Sequence, residues 1–264
     1  MSKRKGIILA GGSGSRLEPI TKLISKQLLP VFDKPMIYYP LSLLMSIDVR
    51  EILIITTEKD AAKFWFLLGD GNQWGVKLSY MIQPNPGGIS QAFLLAEHFL
   101  HGHQSVLVLG DNLFFGGGLL GILKEMSLEN KGASVLVKHV EMPERYGVVK
   151  FDEMGKVAKI VEKPQTPISN YALTGIYFVD ETAVEKAHTL VPSERGELEI
   201  VDLLEQYREE GTLKVNKLGK SNVWFDMGTF DDLFAAAEFV KFRQSKFKQK
   251  IGFPLETAIK KKWV

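Results

Sequence analysis

The sequence predicts an α/β fold, a parallel sheet flanked by helices, on three observations. Residues 7–10 and 105–109 are apolar runs without polar alternation, as expected of strands covered on both faces, and 51–57 is a β-branched strand. Helical segments at 35–45 and 60–68 follow the strands at 7–10 and 51–57 without tight hairpins, so consecutive strands connect by right-handed crossovers. Glycine-bearing turns, Gly11-Gly12-Ser13-Gly14 and Gly110-Asp111-Asn112, stand after two of these strands, at the carboxyl ends where open α/β sheets collect ligands.

Taken in order, the helix at 35–45 has proline in its first turn and Ile37, Leu41, Leu44 and Met45 on one side. A strand at 78–82 leads through Gln83, Pro84, Asn85, Pro86, Gly87 and Gly88 into a helix over about 90–99. The middle of the chain is richer in strands, at 134–140, 147–151, 157–161 and 173–179, which extend the sheet. Residues Pro192 to Glu199 precede a helix that runs to about Glu210, with Glu197 and Glu199 as acids at its start, and a strand follows at 213–218.

At 264 residues, with 45% hydrophobic and 24% charged residues, the chain has the composition of a globular protein with a sizeable core. No apolar run is long enough to span a membrane, and the cationic start before Gly6 is followed by too short an apolar stretch for a signal peptide. The expected location is the cytoplasm, with no membrane partner. The absence of cysteine removes disulfides and thiolate metal sites. Among the five histidines only His101 and His103 stand close, in a glycine-bearing turn. The net charge of +2 hides an asymmetry: from Lys241 onward eight Lys or Arg face Glu256 alone. With Phe242 and Phe247 interspersed, this basic tail reads as a helical face that partly packs, not as a nucleic-acid arm.

The segment after the first strand carries the chemistry. Gly11, Gly12 and Gly14 let the backbone approach a ligand with its amides exposed. Arg16 and Lys26 can then neutralise phosphate oxygens, the first bidentately and the second as a point charge. The pattern is neither a P-loop, which needs lysine directly after the glycines, nor a Rossmann fingerprint, which needs a third spaced glycine at Leu17. Asp111, at the end of a central strand, is placed to hold Mg²⁺ among phosphates, with helix capping as the competing reading. Gln83 alone reads as an incidental loop residue, and the Glu162-Lys163 pair alone as a surface ion pair. Arg195, just before a helix, can bind a phosphate together with the helix end.

The run from Leu9 through Ala10, Gly11, Gly12, Ser13, Gly14, Ser15, Arg16 and Leu17, followed by Lys26, Gln27, Leu28 and Pro30, resembles the LAGGxGxRLxPxT and K-Q-L-x-P signature of the sugar nucleotidyltransferases. Gln83 to Gly88, Glu162-Lys163-Pro164, Ser193 to Glu199 and Trp224 to Thr229 match further motifs of that family, in order, over residues 4 to about 240. The resemblance is nearest to the glucose-1-phosphate thymidylyltransferases. It implies a Rossmann-like, mixed but mainly parallel sheet of the nucleotidyltransferase or GT-A type, in one α/β domain over 1–240. Within it, about 1–115 would bind nucleotide and about 134–228 sugar, and 241–264 would form the basic helical tail. It implies an enzyme that takes dTTP and glucose 1-phosphate, uses Mg²⁺ and releases pyrophosphate.

By the same resemblance, residues 9–16, Lys26, Gln27, Gln83, Pro86, Gly88 and Asp111 contact the nucleotide, with Arg16 and Lys26 on the triphosphate. Asn112, Tyr146, Gly147, Glu162, Lys163, Thr174, Arg195 and Trp224 contact the sugar phosphate, with Lys163 and Arg195 on its phosphate. Asp111 and Asp226 hold the metal. Met227 and Phe230 stand where the family usually has threonine and often histidine, so the hydrogen bonding beside Asp226 is expected to differ. Members of the family usually form homo-oligomers, and a dimer or tetramer is expected. Long members continue in a helical tail that builds a regulatory site; the chain's end at Val264 predicts weak or absent feedback there. UTP or another sugar 1-phosphate, a non-catalytic nucleotide-sugar sensor and a nucleic-acid binder are the alternatives.

Overall fold

Continuous apolar runs form strands wherever both faces are covered, and the computed structural model describes residues 4–264 on that plan. In chain order the elements are β1 (Lys5–Ala10), β2 (Pro30–Val31), β3 (Lys34–Pro35), α1 (Tyr38–Ser46), β4 (Glu51–Thr56), α2 (Glu58–Leu68) and β5 (Lys77–Ile82). Then come α3 (Gln91–Leu95), α4 (Glu97–Leu100), β6 (Ser105–Leu109), β7 (Asn112–Phe115), α5 (Leu119–Leu128), β8 (Ala133–His139), β9 (Gly147–Phe151) and β10 (Val157–Glu162). The remainder is β11 (Tyr171–Val179), α6 (Ala183–His188), α7 (Ile200–Glu209), β12 (Leu213–Lys217), β13 (Val223–Asp226), α8 (Phe230–Phe247) and α9 (Pro254–Lys260).

The chain forms two compact units. The first takes residues 1–86, 107–116 and 223–264, the second 87–106 and 117–222, so β6 contributes to both. In the first unit the strand order is β6-β1-β4-β5, with β1 parallel to β4 and β4 parallel to β5. Ile7 and Ile8 of β1 and Ile52, Ile54 and Ile55 of β4 are fully buried, as the unalternated runs require. A second apolar cluster gathers Val31, Met36, Tyr39, Leu113, Met227, Ala236, Val240 and Ile251 around α8. Helix α1 is buried over Tyr39 to Met45, an all-round apolar helix enclosed in the core.

In the second unit the order is β10-β9-β11-β6, with β8 antiparallel to β11 and parallel to β12. The sheet is thus mixed, parallel through β1, β4 and β5 and antiparallel where β9 pairs with β10 and β11 and where β11 pairs with β8. The amphipathic helix α7 buries Ile200, Val201, Leu203, Leu204 and Tyr207.

Two sequence expectations are corrected. The helix expected at 35–45 begins at Tyr38, because Lys34–Pro35 pairs with Pro30–Val31 in a hairpin; the first-turn proline is Pro40. The helix expected over 90–99 breaks at Ala96 into α3 and α4. Strand β7, directly after Asp111, has no counterpart among the expected elements.

The second unit is tied by Asp180, whose carboxylate accepts from the backbone N–H of Gly132 at 2.6 Å, the Thr182 hydroxyl at 2.6 Å and the Tyr207 hydroxyl at 2.9 Å. Burial alone would raise its pKa, but these donors together hold it below the ordinary carboxylate value. Asp180→Ala leaves the Tyr207 hydroxyl and the Gly132 N–H without their acceptor and costs about 3 kcal/mol in urea unfolding at neutral pH. Because the folded pKa is depressed, this contribution is present above the unfolded value. The gap between wild type and variant therefore narrows as pH falls from about 5 towards 2.

Candidate active site

In the first unit the residues after β1 turn sharply: Gly14 takes φ 66°, and the Thr21 hydroxyl donates to its carbonyl at 2.8 Å. Gly12, Ser13, Ser15 and Arg16 are exposed, whereas Gly11 is buried under the side chain of Gln83. A Cβ on Gly11 would stand 2.1 Å from Gln83 Oε1, so glycine here makes room for that amide. Gln83 is itself buried and its N–H donates to Thr56 at 2.7 Å. Pro86 is exposed at the end of this loop. Leu9 and Ala10 close β1, and the Leu9 carbonyl accepts from Gly110 N–H at 2.9 Å. Gln27 is buried, with its Oε1 taking the Ser25 hydroxyl at 2.6 Å and its stem crossing the bare face of Gly110.

Asp111 sits just past β6 and is ion-paired with Lys26, the two side chains only 9% and 13% exposed. Burial opposes ionisation of Asp111; the Lys26 charge, with hydrogen bonds from Lys26 and Asn112, overrides it and holds the carboxyl below its ordinary pKa. The Asn112 amide donates to Asp111 Oδ1 at 3.0 Å and accepts from the indole N–H of Trp224 at 2.5 Å. Trp224, Asn112 and Asp111 therefore form a chain that fixes the carboxylate.

Strand β13 pairs antiparallel with β7, setting Asp226 opposite Asn112, and the next N–H, of Met227, donates to the Asp111 carbonyl at 3.0 Å. Two aspartates far apart in sequence thus occupy neighbouring rungs of one ladder. A Cβ on Gly228 would lie 2.6 Å from Arg16 Nη2 and 3.4 Å from Asp226 Oδ1, so the guanidinium and this carboxylate share the space that glycine leaves. The Met227 side chain points away from these polar groups, fully buried in the apolar cluster. Phe230 opens α8 and is 45% exposed.

The second unit gathers another set. Glu162 ends β10 opposite Gly147, whose missing side chain leaves room for its carboxylate: a Cβ there would lie 3.1 Å from Glu162 Oε2. Lys163 follows in the left-handed region, φ 38°, with its N–H donating to the Tyr146 carbonyl and its ammonium 3.2 Å from Glu162. Backbone of this kind is uncommon for a non-glycine residue and is concentrated at functional sites. Arg195 reaches Glu199 at 2.8 Å, Glu162 at 3.4 Å and Glu197 at 3.6 Å. Burial works against its charge, but these carboxylates, Glu199 foremost, raise its pKa further. Gly88, at φ 93°, is where the backbone passes Leu198: a Cβ would be 2.4 Å from the Leu198 carbonyl. That contact, with Leu198 N–H to Gly87 at 2.8 Å, anchors the loop bearing Arg195. Thr174 is fully buried in β11 and donates to the Leu136 carbonyl at 3.1 Å, so its hydroxyl is already engaged.

Sequence reasoning named Gly110 and Gly228 only within a turn and a motif; their φ values are not positive, and what each supplies is space. Among the described residues no group of three or more His, Cys, Asp or Glu is placed to hold a metal, and no helix is long and apolar enough to cross a membrane.

Comparison with known proteins agrees with this arrangement. The sequence profile of the family described as nucleotidyl transferase matches residues 5–242. A glucose-1-phosphate thymidylyltransferase of Xanthomonas campestris pv. campestris (strain B100) is 52% identical over all of this chain and 90% of its own. Its namesake from Mycobacterium tuberculosis (strain ATCC 25618 / H37Rv) is 46% identical over 98% of this chain and 90% of its own. Among solved structures, a Bacillus anthracis chain described as a glucose-1-phosphate thymidylyltransferase, in complex with sucrose, superposes with a TM-score of 0.85. It is 39% identical, covering 96% of this chain and 99% of its own. A UDP-glucose pyrophosphorylase with UDP-glucose shares the fold at a TM-score of 0.78 and 23% identity, over 91% and 99% of the two chains. With a profile match over nearly its whole length and relatives of about half identity, the chain belongs to the nucleotidyl transferase family, among its glucose-1-phosphate thymidylyltransferases.

Proposed function

We propose that this chain transfers a thymidylyl group from dTTP to glucose 1-phosphate, forming dTDP-glucose and pyrophosphate. The observation that carries the reading is the β7–β13 ladder, which sets Asp111 and Asp226 on neighbouring rungs beside Lys26 and Arg16. Relatives named for this reaction, at 46–52% identity, supply the substrates.

Two carboxylates, one held ionised and fixed by Asn112, suit a hard divalent cation such as Mg²⁺, with substrate phosphates and water completing its oxygen shell. When bound, such a cation would neutralise charge on the triphosphate. Lys26 keeps Asp111 ionised and oriented until a phosphate takes its ammonium, and Arg16, exposed beside Gly228, is free to swing to the same triphosphate. The backbone of residues 9–15 and Gln27 line the nucleotide, and Gln83, Pro86 and Gly88 select the base. Lys163 and Arg195 hold the phosphate of the sugar 1-phosphate, while Glu162, Tyr146 and Gly147 meet its hydroxyls. Asn112 and Trp224 act through Asp111, and Thr174 supports the sugar-side sheet.

The phosphate oxygen of glucose 1-phosphate attacks the α-phosphorus in line; the new O–P bond forms as the bond to pyrophosphate breaks. The nucleophile is already anionic, so no residue has to take a proton. Catalysis is positioning and charge neutralisation. The setting is the cytoplasm and the working form a homo-oligomer.

The test is pyrophosphate release over a grid of dTTP, UTP, CTP, ATP and GTP against several sugar 1-phosphates. Activity concentrated in the dTTP and glucose 1-phosphate cell is expected; another preferred pair would displace the substrate reading, and silence throughout would favour a sensor. Asp111→Asn and Asp226→Asn each lower kcat about 1000-fold without changing the far-UV circular dichroism. Gly228→Ala pushes Arg16 aside and raises KM for dTTP about tenfold, with KM for glucose 1-phosphate little changed.

A further inference from the structure

Lys34 is a buried cation that the proposed reaction does not use. It is only 5% exposed, and burial lowers its pKa below the ordinary lysine value although Asp33 works against that shift. Methionine or leucine would fill the same space without desolvating a charge, so volume alone does not account for lysine here. Its contacts do. The ammonium is ion-paired with Asp33, lies 4.1 Å from the centre of the Phe253 ring and 5.2 Å from that of Tyr39, and stands 3.4 Å from the Tyr39 hydroxyl. These partners come from the β2–β3 hairpin, from α1 and from the segment just before α9, all within the first unit.

The hairpin gains a fixed register from them. Its strands are two residues each, pairing Pro30 with Pro35 and Val31 with Lys34, too short to hold a register alone. The Tyr39 hydroxyl donates to the Val31 carbonyl at 2.7 Å, and Asp33 accepts from the Gln244 amide of α8 at 3.2 Å. Gly252, at φ 70°, lets the C-terminal chain fold across Tyr39, where a Cβ would lie 2.5 Å from the ring; the next residue, Phe253, covers Lys34. The hairpin in turn holds the turn at Lys26–Leu28. The Met36 N–H donates to the Leu29 carbonyl and the Ile37 N–H to the Gln27 carbonyl, both at 2.9 Å, and the Leu29 N–H donates to the Lys26 carbonyl at 3.0 Å. A shift of the hairpin therefore moves the backbone from which the Lys26 ammonium reaches Asp111.

We propose that Lys34 is a positioning residue for the nucleotide site: gripped by Asp33, Tyr39 and the Phe253 ring, it pins the hairpin that sets Lys26 and Gln27. The C-terminal segment thereby contributes to triphosphate binding without touching the triphosphate. The inference rests on the proposed reaction for its probe, dTTP. Lys34→Met keeps the length of the side chain and removes its charge, Phe253→Leu keeps an apolar side chain and removes the π face, and Phe253→Tyr keeps the face. The test is the calorimetric Kd for dTTP with Mg²⁺ in each variant, beside kcat and the KM for glucose 1-phosphate at saturating dTTP. Kd for dTTP rises about tenfold in Lys34→Met and about threefold in Phe253→Leu, and Phe253→Tyr restores it. The other two parameters stay within about twofold of wild type, a selectivity that a loosened fold would not give. Should Lys34→Met fail to fold, the two Phe253 variants decide the question. Unchanged dTTP affinity in Phe253→Leu, equal weakening of both substrates, or a Phe253→Tyr as weak as Phe253→Leu overturns this proposal alone. A wild type that binds no dTTP overturns the proposed function and this inference with it.

Discussion

The ion pair of Lys26 and Asp111 is the constraint on which the first unit depends. Two charges with little access to water are costly to bury, and pairing offsets that cost without making them strong contributors to stability. A buried pair at a strand end, with the carboxylate further gripped by Asn112 and Trp224, is better understood as preorganisation. The parallel strands bring Asp111 to the carboxyl end of β6, beside the loop that carries Lys26. The β7–β13 ladder then adds Asp226, and α8 begins four residues later, with Met227 between them packed in the same apolar cluster as Ala236 and Val240.

The second unit solves a similar problem with opposite emphasis. Its cation, Arg195, is surrounded by Glu162, Glu197 and Glu199, and its loop is clamped where Gly88 meets Leu198. In the proposed reaction a sugar phosphate would exchange with these carboxylates, as a triphosphate would exchange with Asp111 for Lys26. Lys26 and Arg195, the cations to which the proposed reaction gives phosphates, are thus paired within the chain, which limits the cost of holding unpaired charge in partly buried ground.

Much of this was legible in the sequence, for physical reasons. Strands β1, β4 and β6 announce themselves because burial on both faces demands unbroken apolar runs, and β9 is bounded as expected. The β2–β3 hairpin was hidden because two-residue strands have no periodicity, and α3 and α4 merge in any pattern that cannot see the break at Ala96. Asp111 and Asp226 could be suspected individually, but their adjacency depends on pairing between strands far apart in sequence, which local pattern does not encode. Met227 drew notice because it follows Asp226; its side chain goes into the core, which the sequence around it does not announce. Gly110 and Gly228 were visible as members of a turn and a motif, but the reason glycine stands there was not, since the need is for space and not for an unusual backbone angle.

The most direct measurement is calorimetric: the affinity for dTTP with Mg²⁺ and with chelator, in wild type and in Asp111→Asn. If Lys26 is held by Asp111 until the carboxylate has another partner, Mg²⁺ strengthens dTTP binding to the wild type by about tenfold or more. The variant should bind dTTP at least as well as the wild type without Mg²⁺ and gain little when it is added. An equal Mg²⁺ enhancement in both proteins would contradict the account.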